Sequence, residues 1–326
     1  MKLSHRRQFL HLAAGAAALP FATRIARAQA YPSRPVRIVV GFAPGGVTDI
    51  LARLTGQWLS ERLGQSFIIE NRPGAGGNIS TEAVVRAPSD GYTLLLVGPF
   101  AVINQTLYEK LNFNFLHDIA PIASVSREPQ VMVLNPSVPA RTVPEFIAYA
   151  KGNPGKVNFP SAGIGTPSHL AGELFKMMTG VNMVHVPYRG AAPALTDLIA
   201  GQVQVYFVTM GSAIEHIRTG KVRPLAVTTG MRSEALPEVP VVSDFVPGYE
   251  ASGFYGIGAP KNTPAEIITK LNMEINAGLA NPNIKARLAE LGNTALAGSP
   301  TEFGKLLVEE TEKWGKVVKL SGAKAD

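Results

Sequence analysis

The chain has 326 residues, 46% of them hydrophobic and 17% charged, the balance of a folded globular protein and not of a disordered or fibrous one. It contains no cysteine, which excludes disulfides, thiolate metal sites, a cysteine nucleophile and a lipid-modified cysteine anchor. The formal charge of +7 belongs mostly to the first thirty residues, which hold five of the 31 Lys and Arg and none of the 24 Asp and Glu; the remainder is near neutral, with no basic stripe for nucleic acid.

The opening segment, "MKLSHRRQFLHLAAGAAALPFATRIARAQA", places Lys2, Arg6 and Arg7 before an apolar stretch from Phe9 to Leu19 and ends in Ala28-Gln29-Ala30. That order predicts an export signal over residues 1–30, cleaved near Ala30, with the mature protein in the periplasm. The apolar stretch is too short to span a bilayer of about 30 Å. Arg6-Arg7-Gln8-Phe9-Leu10 fits a twin-arginine signal except that His5 stands where Ser or Thr is usual; an ordinary Sec signal fits as well, and both routes stay open.

Apolar β-type runs then alternate with helical patterns. "VRIVVGF", "SFIIENR", "YTLLLVG" and "QVMVLNP" lack polar alternation and read as buried strands of parallel type. Between the first two, Ile50, Leu54 and Trp58 share a helical face. The alternation predicts an α/β fold.

The first strand runs into "FAPGGVTD", residues 42–49, a Gly-rich corner opening a helix, where main-chain N–H groups form an anion site. No Lys follows the glycines, as a phosphate loop requires, and Asp49 would repel a multiply charged group; the corner suits a single carboxylate. "NRPGAGGNIST" has only part of a dinucleotide fingerprint, and Asn78 is expected to cap a helix and line a cleft.

The corner has an echo in "VNFPSAGIGTPSHLAGELFKMM", where Thr166 is placed to cap a helix, Pro167 suits its first turn, and Leu170, Leu174 and Met178 share a face. If each half of the molecule contributes one such unit, two positive helix ends converge on a ligand. The segment 130–250 reads as a lobe inserted into a first lobe of residues 31–129 plus 251–326, with two chain crossings as a hinge and a cleft between. "TPAEIITKL" and "SPTEFGKLL" open closing helices capped at Thr263-Pro264 and Ser299-Pro300.

Ser161, Ser168 and His169 invite a secreted serine hydrolase. A nucleophile elbow is missing, and Ser168 and His169, adjacent on a helix, diverge. The remaining histidines after residue 30, His117, His185 and His216, show no metal-ligand spacing, so neither a metal nor a cofactor is expected. Tyr188 and Arg189 follow a strand, where α/β ligand clefts form.

Taken together, "YPSRPVRIVVGFAPGGVTDILAR", "IIENRPGAGGNI", "SAGIGTPSHLAGELF", "VPYRGAAPALTDLIAGQV" and "GFYGIGAPKNTP" resemble the Bug-type periplasmic receptors, the solute-binding subunits of tripartite tricarboxylate transporters, over essentially the whole chain after residue 30. The resemblance implies a non-enzymatic, two-lobed periplasmic-binding-protein (type II, Venus-flytrap) architecture. It closes on a small organic carboxylate held by the 42–49 and 161–169 loops, and delivers it, as a monomer, to membrane subunits. A ligand-sensing role in signalling would use the same cleft. The ligand residues expected are Phe42, Ala43, Pro44, Gly45, Gly46, Thr48, Asp49, Asn78, Phe100, Ser161, Gly163, Gly165, Thr166, His169, Tyr188 and Arg189. Two departures bear on the ligand: Gln204 and Val208 stand where relatives often carry acids, and Pro99-Phe100 where they often carry small hydroxyl residues. With Phe42, Phe100, Tyr188 and Tyr255 as walls, a ligand with an apolar or aromatic body is expected over a zwitterionic amino acid, and a polar pocket for a dicarboxylate is the alternative.

Overall fold

The computed structural model describes residues 31–325; the export signal expected over residues 1–30 lies outside them. Among the described residues, all the helices and strands lie in the compact unit that begins at Arg34. β1 (Val36–Val40), β2 (Phe67–Asn71) and β3 (Thr93–Val97) pair in parallel, with β1 between the other two. They alternate with α1 (Val47–Leu63) and α2 (Asn78–Val85), and β3 is followed by α3 (Pro99–Leu107) and the short α4 (Phe115–Asp118). β4 (Ile119–Glu128) and β10 (Gly253–Pro260) extend this sheet antiparallel, and β11 (Thr294–Ala295) edges it, giving the order β11-β4-β10-β3-β1-β2.

After Pro129 the chain changes sheet. β5 (Gln130–Leu134) is the centre of a three-stranded antiparallel sheet with β8 (Val205–Thr209) and β9 (Arg223–Val227). Here the sequence misleads: "QVMVL" reads as a parallel strand, yet both its partners are antiparallel. Every residue of β5 is buried, and burial of both faces removes polar alternation whatever the direction of pairing. α5 (Val143–Gly152), β6 (Val157–Ser161), α6 (Pro167–Thr179), β7 (Met183–Pro187), α7 (Ala191–Ile199) and α8 (Met210–Arg218) complete this region, with β6 and β7 parallel. Gln204 joins the two small sheets: its backbone N–H donates to Asn158 O (3.0 Å), and its Oε1 accepts from Asn158 N–H (2.8 Å).

The passage out and the passage back are tied together. Arg127, on β4, is ion-paired with Glu250 and donates to Ser252 Oγ (2.8 Å). Beside it the buried Glu128 accepts from Tyr255 Oη (3.0 Å). Burial raises the Glu128 pKa to about 6.

The closing helices are α9 (Ala265–Ala280), α10 (Pro282–Glu290) and α11 (Pro300–Ser321). α11 begins in a reciprocal capping box: Ser299 Oγ accepts from Glu302 N–H (3.2 Å) and Glu302 Oε2 from Ser299 N–H (2.7 Å). Thr263 does not cap α9; its hydroxyl turns back to Pro260 O (2.7 Å). Trp314, Val317 and Val318 of α11 join one apolar core with Val97, Ile103 and Leu107 from the large-sheet region and Phe159, Phe175 and Phe207 from the second.

Candidate ligand site

β1 delivers the chain to the 42–49 corner, and Gly45, at φ +88°, makes the turn into α1. Asp49 holds the corner from within. Its carboxylate, 2% exposed, accepts from Gly45 N–H (2.9 Å), from Arg53 Nε (2.9 Å) and Nη2 (3.0 Å), and from Asn71 Nδ2 (3.0 Å). Asn71 Nδ2 also holds the Phe42 carbonyl (3.0 Å). The Arg53 hydrogen bonds, helped by Gly45 and Asn71, outweigh burial and lower the Asp49 pKa to about 2. Asp49 is therefore a permanent anion already neutralised by Arg53, so the repulsion expected of it is spent within the loop. The α1 N-cap, Gly46, lacks a side-chain cap, which leaves first-turn N–H groups for a ligand.

The 161–169 corner repeats the device. Gly163 (φ +140°) and Gly165 (φ +73°) turn β6 into α6. Gly165 N–H donates to His169 Nδ1 (3.1 Å) and Ala162 N–H to Ser168 Oγ (3.0 Å), while Ser161 Oγ accepts from Gly163 N–H (3.1 Å). Thr166, the N-cap residue, turns its hydroxyl to Gly163 O (2.7 Å) and to Ser168 Oγ (3.0 Å) and caps no backbone N–H of α6. The His169 and His185 rings stack 3.8 Å apart, and His185 Nε2 lies 2.7 Å from Ser161 Oγ. Burial first, then the His185 and Lys176 charges, lowers the His169 pKa to about 3; burial and Lys176 lower that of His185 to about 4. Both rings are neutral at ordinary pH, as the Nδ1 acceptor role of His169 requires.

The two N-termini face one cavity of about 540 Å³, lined by Gly46, Val47 and Thr48 from α1 and by Gly165, Thr166 and Pro167 from α6. Its remaining walls are chiefly apolar. Phe42 and Phe100 meet edge to face at 5.0 Å, and Ile103 and Leu107 of α3 and Tyr255 of β10 join them. Asn104, Tyr108 and Lys324 supply the other polar groups.

Of the residues expected at the site, Phe42, Gly46, Thr48, Phe100, Gly165 and Thr166 line this cavity. Ala43, Pro44 and Gly45 are exposed and are not part of the cavity lining. Asp49, Ser161 and His169 are buried behind the loops they shape, and Gly163 turns one of them. Asn78 does not cap α2, whose N-cap is Gly77; its Oδ1 accepts from Asn104 Nδ2 (2.9 Å). Tyr188 donates to Asp197 Oδ2 (2.6 Å), and Arg189 is exposed away from the cavity lining. Val208, 1% exposed, packs in the core beside β5 and Gln204 binds β6, so neither of these two residues lines the cavity, whereas Pro99 and Phe100 of the other departure do.

The sequence and the fold match those of a known receptor family. The sequence profile of the tripartite tricarboxylate transporter family receptor matches residues 51–323. The chain belongs to this family. It is 36% identical to the protein BugT of Bordetella pertussis, over 91% of this chain and 92% of BugT. Its fold is similar to that of Rhodopseudomonas palustris Rpa4515 with adipate (37% identity, TM-score 0.77, 90% of this chain and 99% of that one). It is likewise similar to that of MatC of the same organism with bound malate (31% identity, TM-score 0.73, 88% and 100%). The mixed α/β architecture is thus that of the periplasmic solute-binding receptors of the family. No helix among the described residues is long and apolar enough to cross a membrane.

The wall formed by α3 escaped the sequence reading apart from Phe100. Its signal is there in "PFAVINQTLY": Phe100, Ile103, Asn104, Leu107 and Tyr108 follow a helical period directly after a strand. The Ser/His reading paired the wrong residues. Ser161 meets His185 from the adjacent strand β7, and Ser161 is fully buried, where it fastens the loop.

Proposed function

We propose that this chain is a periplasmic receptor that binds a small organic carboxylate at the meeting of α1 and α6 and hands it to the membrane subunits of a tripartite tricarboxylate-type transporter. The observation that carries this is the pair of helix N-termini without side-chain caps that line one cavity. A carboxylate there accepts main-chain N–H bonds, each charge-assisted and contributing about 1.5–3 kcal/mol, and gains from both helix dipoles. The apolar walls take the body of the ligand. Rpa4515 with adipate and MatC with malate support the carboxylate reading by similarity.

In this reading residues 31–129 plus 251–326 form one lobe and 130–250 the other. The junction of Arg127, Glu250 and Ser252 serves as the hinge about which they close. Residues 1–30 are the export signal, removed near Ala30. The chain performs carriage and no catalysis.

A thermal-shift screen with adipate, malate, benzoate and aspartate tests the ligand class. Binding to the folded state alone raises the melting temperature, by an amount that grows with the logarithm of the ligand concentration above Kd. At least one non-amino acid in the set is expected to do so, with aspartate giving no shift; a response to none of the four acids would contradict the proposal.

A further inference from the structure

Among the described residues that line the cavity, Lys324 is the one basic residue, and no acidic residue accompanies it. Its position is built and not incidental. α11 packs along α3, the helix that supplies Ile103, Asn104 and Leu107 to the wall. At the end of α11, Gly322 adopts the left-handed conformation (φ +67°) and turns the chain. Ser321 Oγ donates to Val318 O (3.1 Å) and accepts from Ala323 N–H (3.3 Å). Ala323 and Ala325 pack against the main core, and Ala325 lines the cavity beside Lys324. A tail anchored on both sides of Lys324 thus places this exposed residue at the cavity wall, whose other side chains are apolar or neutral.

Resting on the carboxylate reading, we infer that Lys324 is a specificity-determining residue: it is the counter-charge for the second acidic group of a diacid ligand. The helix ends take one carboxylate through main-chain donors that recognise little else. The spacer lies against Phe42, Phe100 and Leu107, and the far carboxylate meets Lys324. A monoacid of the same length fills the same walls but leaves the ammonium without its partner. An ammonium ligand group would face Lys324 as a like charge.

The test is calorimetric titration of the straight-chain diacids from succinate to suberate, each against its monomethyl ester, on the wild type, Lys324→Gln and Lys324→Arg. At least one diacid is expected to bind the wild type tenfold or more tighter than its ester. Lys324→Gln should reduce that preference to threefold or less with the affinity for the ester unchanged, and Lys324→Arg should keep it. If Lys324 served only the C-terminal dipole of α11, its replacement would lower the melting temperature and leave the diacid preference intact. That result would overturn the inference. So would a wild type that binds diacid and ester equally, which would leave the carboxylate reading standing; binding of no member of the series would overturn it too, while the screen of other acids judges the carboxylate reading separately.

Discussion

The backbone N–H of Gly165 donates to Nδ1 of His169, four residues ahead, at 3.1 Å. Gly45 N–H makes the same bond to Asp49 Oδ2 at 2.9 Å. In both corners a side chain from the first turn of the helix reaches back to fix the glycine that precedes the N-cap. One corner uses a carboxylate balanced by Arg53, the other a neutral imidazole, so both present their N-termini without a net negative charge of their own.

The equivalence predicts different costs for the two loops. Asp49→Ala removes the acceptor of Gly45, Arg53 and Asn71 together and should destabilise the fold by about 2–3 kcal/mol in urea unfolding, the range for buried hydrogen bonds to a charged group. His169→Asn puts an amide oxygen where Nδ1 was and should keep ligand affinity within about threefold, whereas His169→Ala should weaken it about tenfold or more. Equal affinities in the two His169 variants would show that the Gly165 bond is irrelevant to binding.

Stability should fall with acid because of the stacked histidines. Their pKa values in the folded protein are about 3 for His169 and about 4 for His185, against about 6.5 in the unfolded chain. Below pH 6.5 the unfolded state takes up protons that the native state refuses. The contribution is therefore present above pH 6.5 and lost as the pH drops toward 4. A His169→Asn/His185→Gln variant should show a flatter melting temperature between pH 6.5 and 4 than the wild type. Parallel curves would contradict the assignment.

Glu128 works in the opposite direction. Burial raises its pKa to about 6, so its charged form is a cost above pH 6 that is relieved as the pH falls toward 4.5. Glu128→Gln, which retains an acceptor for Tyr255 Oη, should stabilise the protein at pH 7.5 by about 1–2 kcal/mol and by less at pH 5. Destabilisation at both pH values would mean that the Glu128 charge supports the crossing between the sheets.

The fold was legible where physics is local. β1, β2 and β3 announce themselves as apolar runs, and the cap at Ser299 was visible in the Ser-Pro pair that opens the helix, though not its reciprocal partner Glu302. The direction of β5 was not, because a strand buried on both faces looks the same in either orientation. At the site, the two Gly-rich corners and their repetition were visible. What each polar residue does there was not. A sequence shows that Asp49 and His169 stand at a helix start, but not that their side chains turn back onto their own loop. Lys324 was hidden for another reason: it reaches the cavity only because α11 packs on α3, a contact between residues some two hundred positions apart.

The most direct test is the affinity of Gly46→Val for the organic acid that gives the largest thermal shift with the wild type. Gly46 has extended backbone angles (φ −79°, ψ 169°), and a Cβ there would meet nothing nearer than Ala43 O at 3.9 Å. A Cβ fits there without strain, unlike one at Gly165, where it would lie 2.5 Å from Leu107 Cδ2. Gly46 lines the cavity at the mouth of α1, so a valine there obstructs approach to the first-turn N–H groups. Two helix ends gripping one carboxylate predict that calorimetric titration of Gly46→Val gives at least thirtyfold weaker binding, with the melting temperature of the free protein within about 3 °C of wild type. Unchanged affinity in a folded Gly46→Val protein would contradict the account.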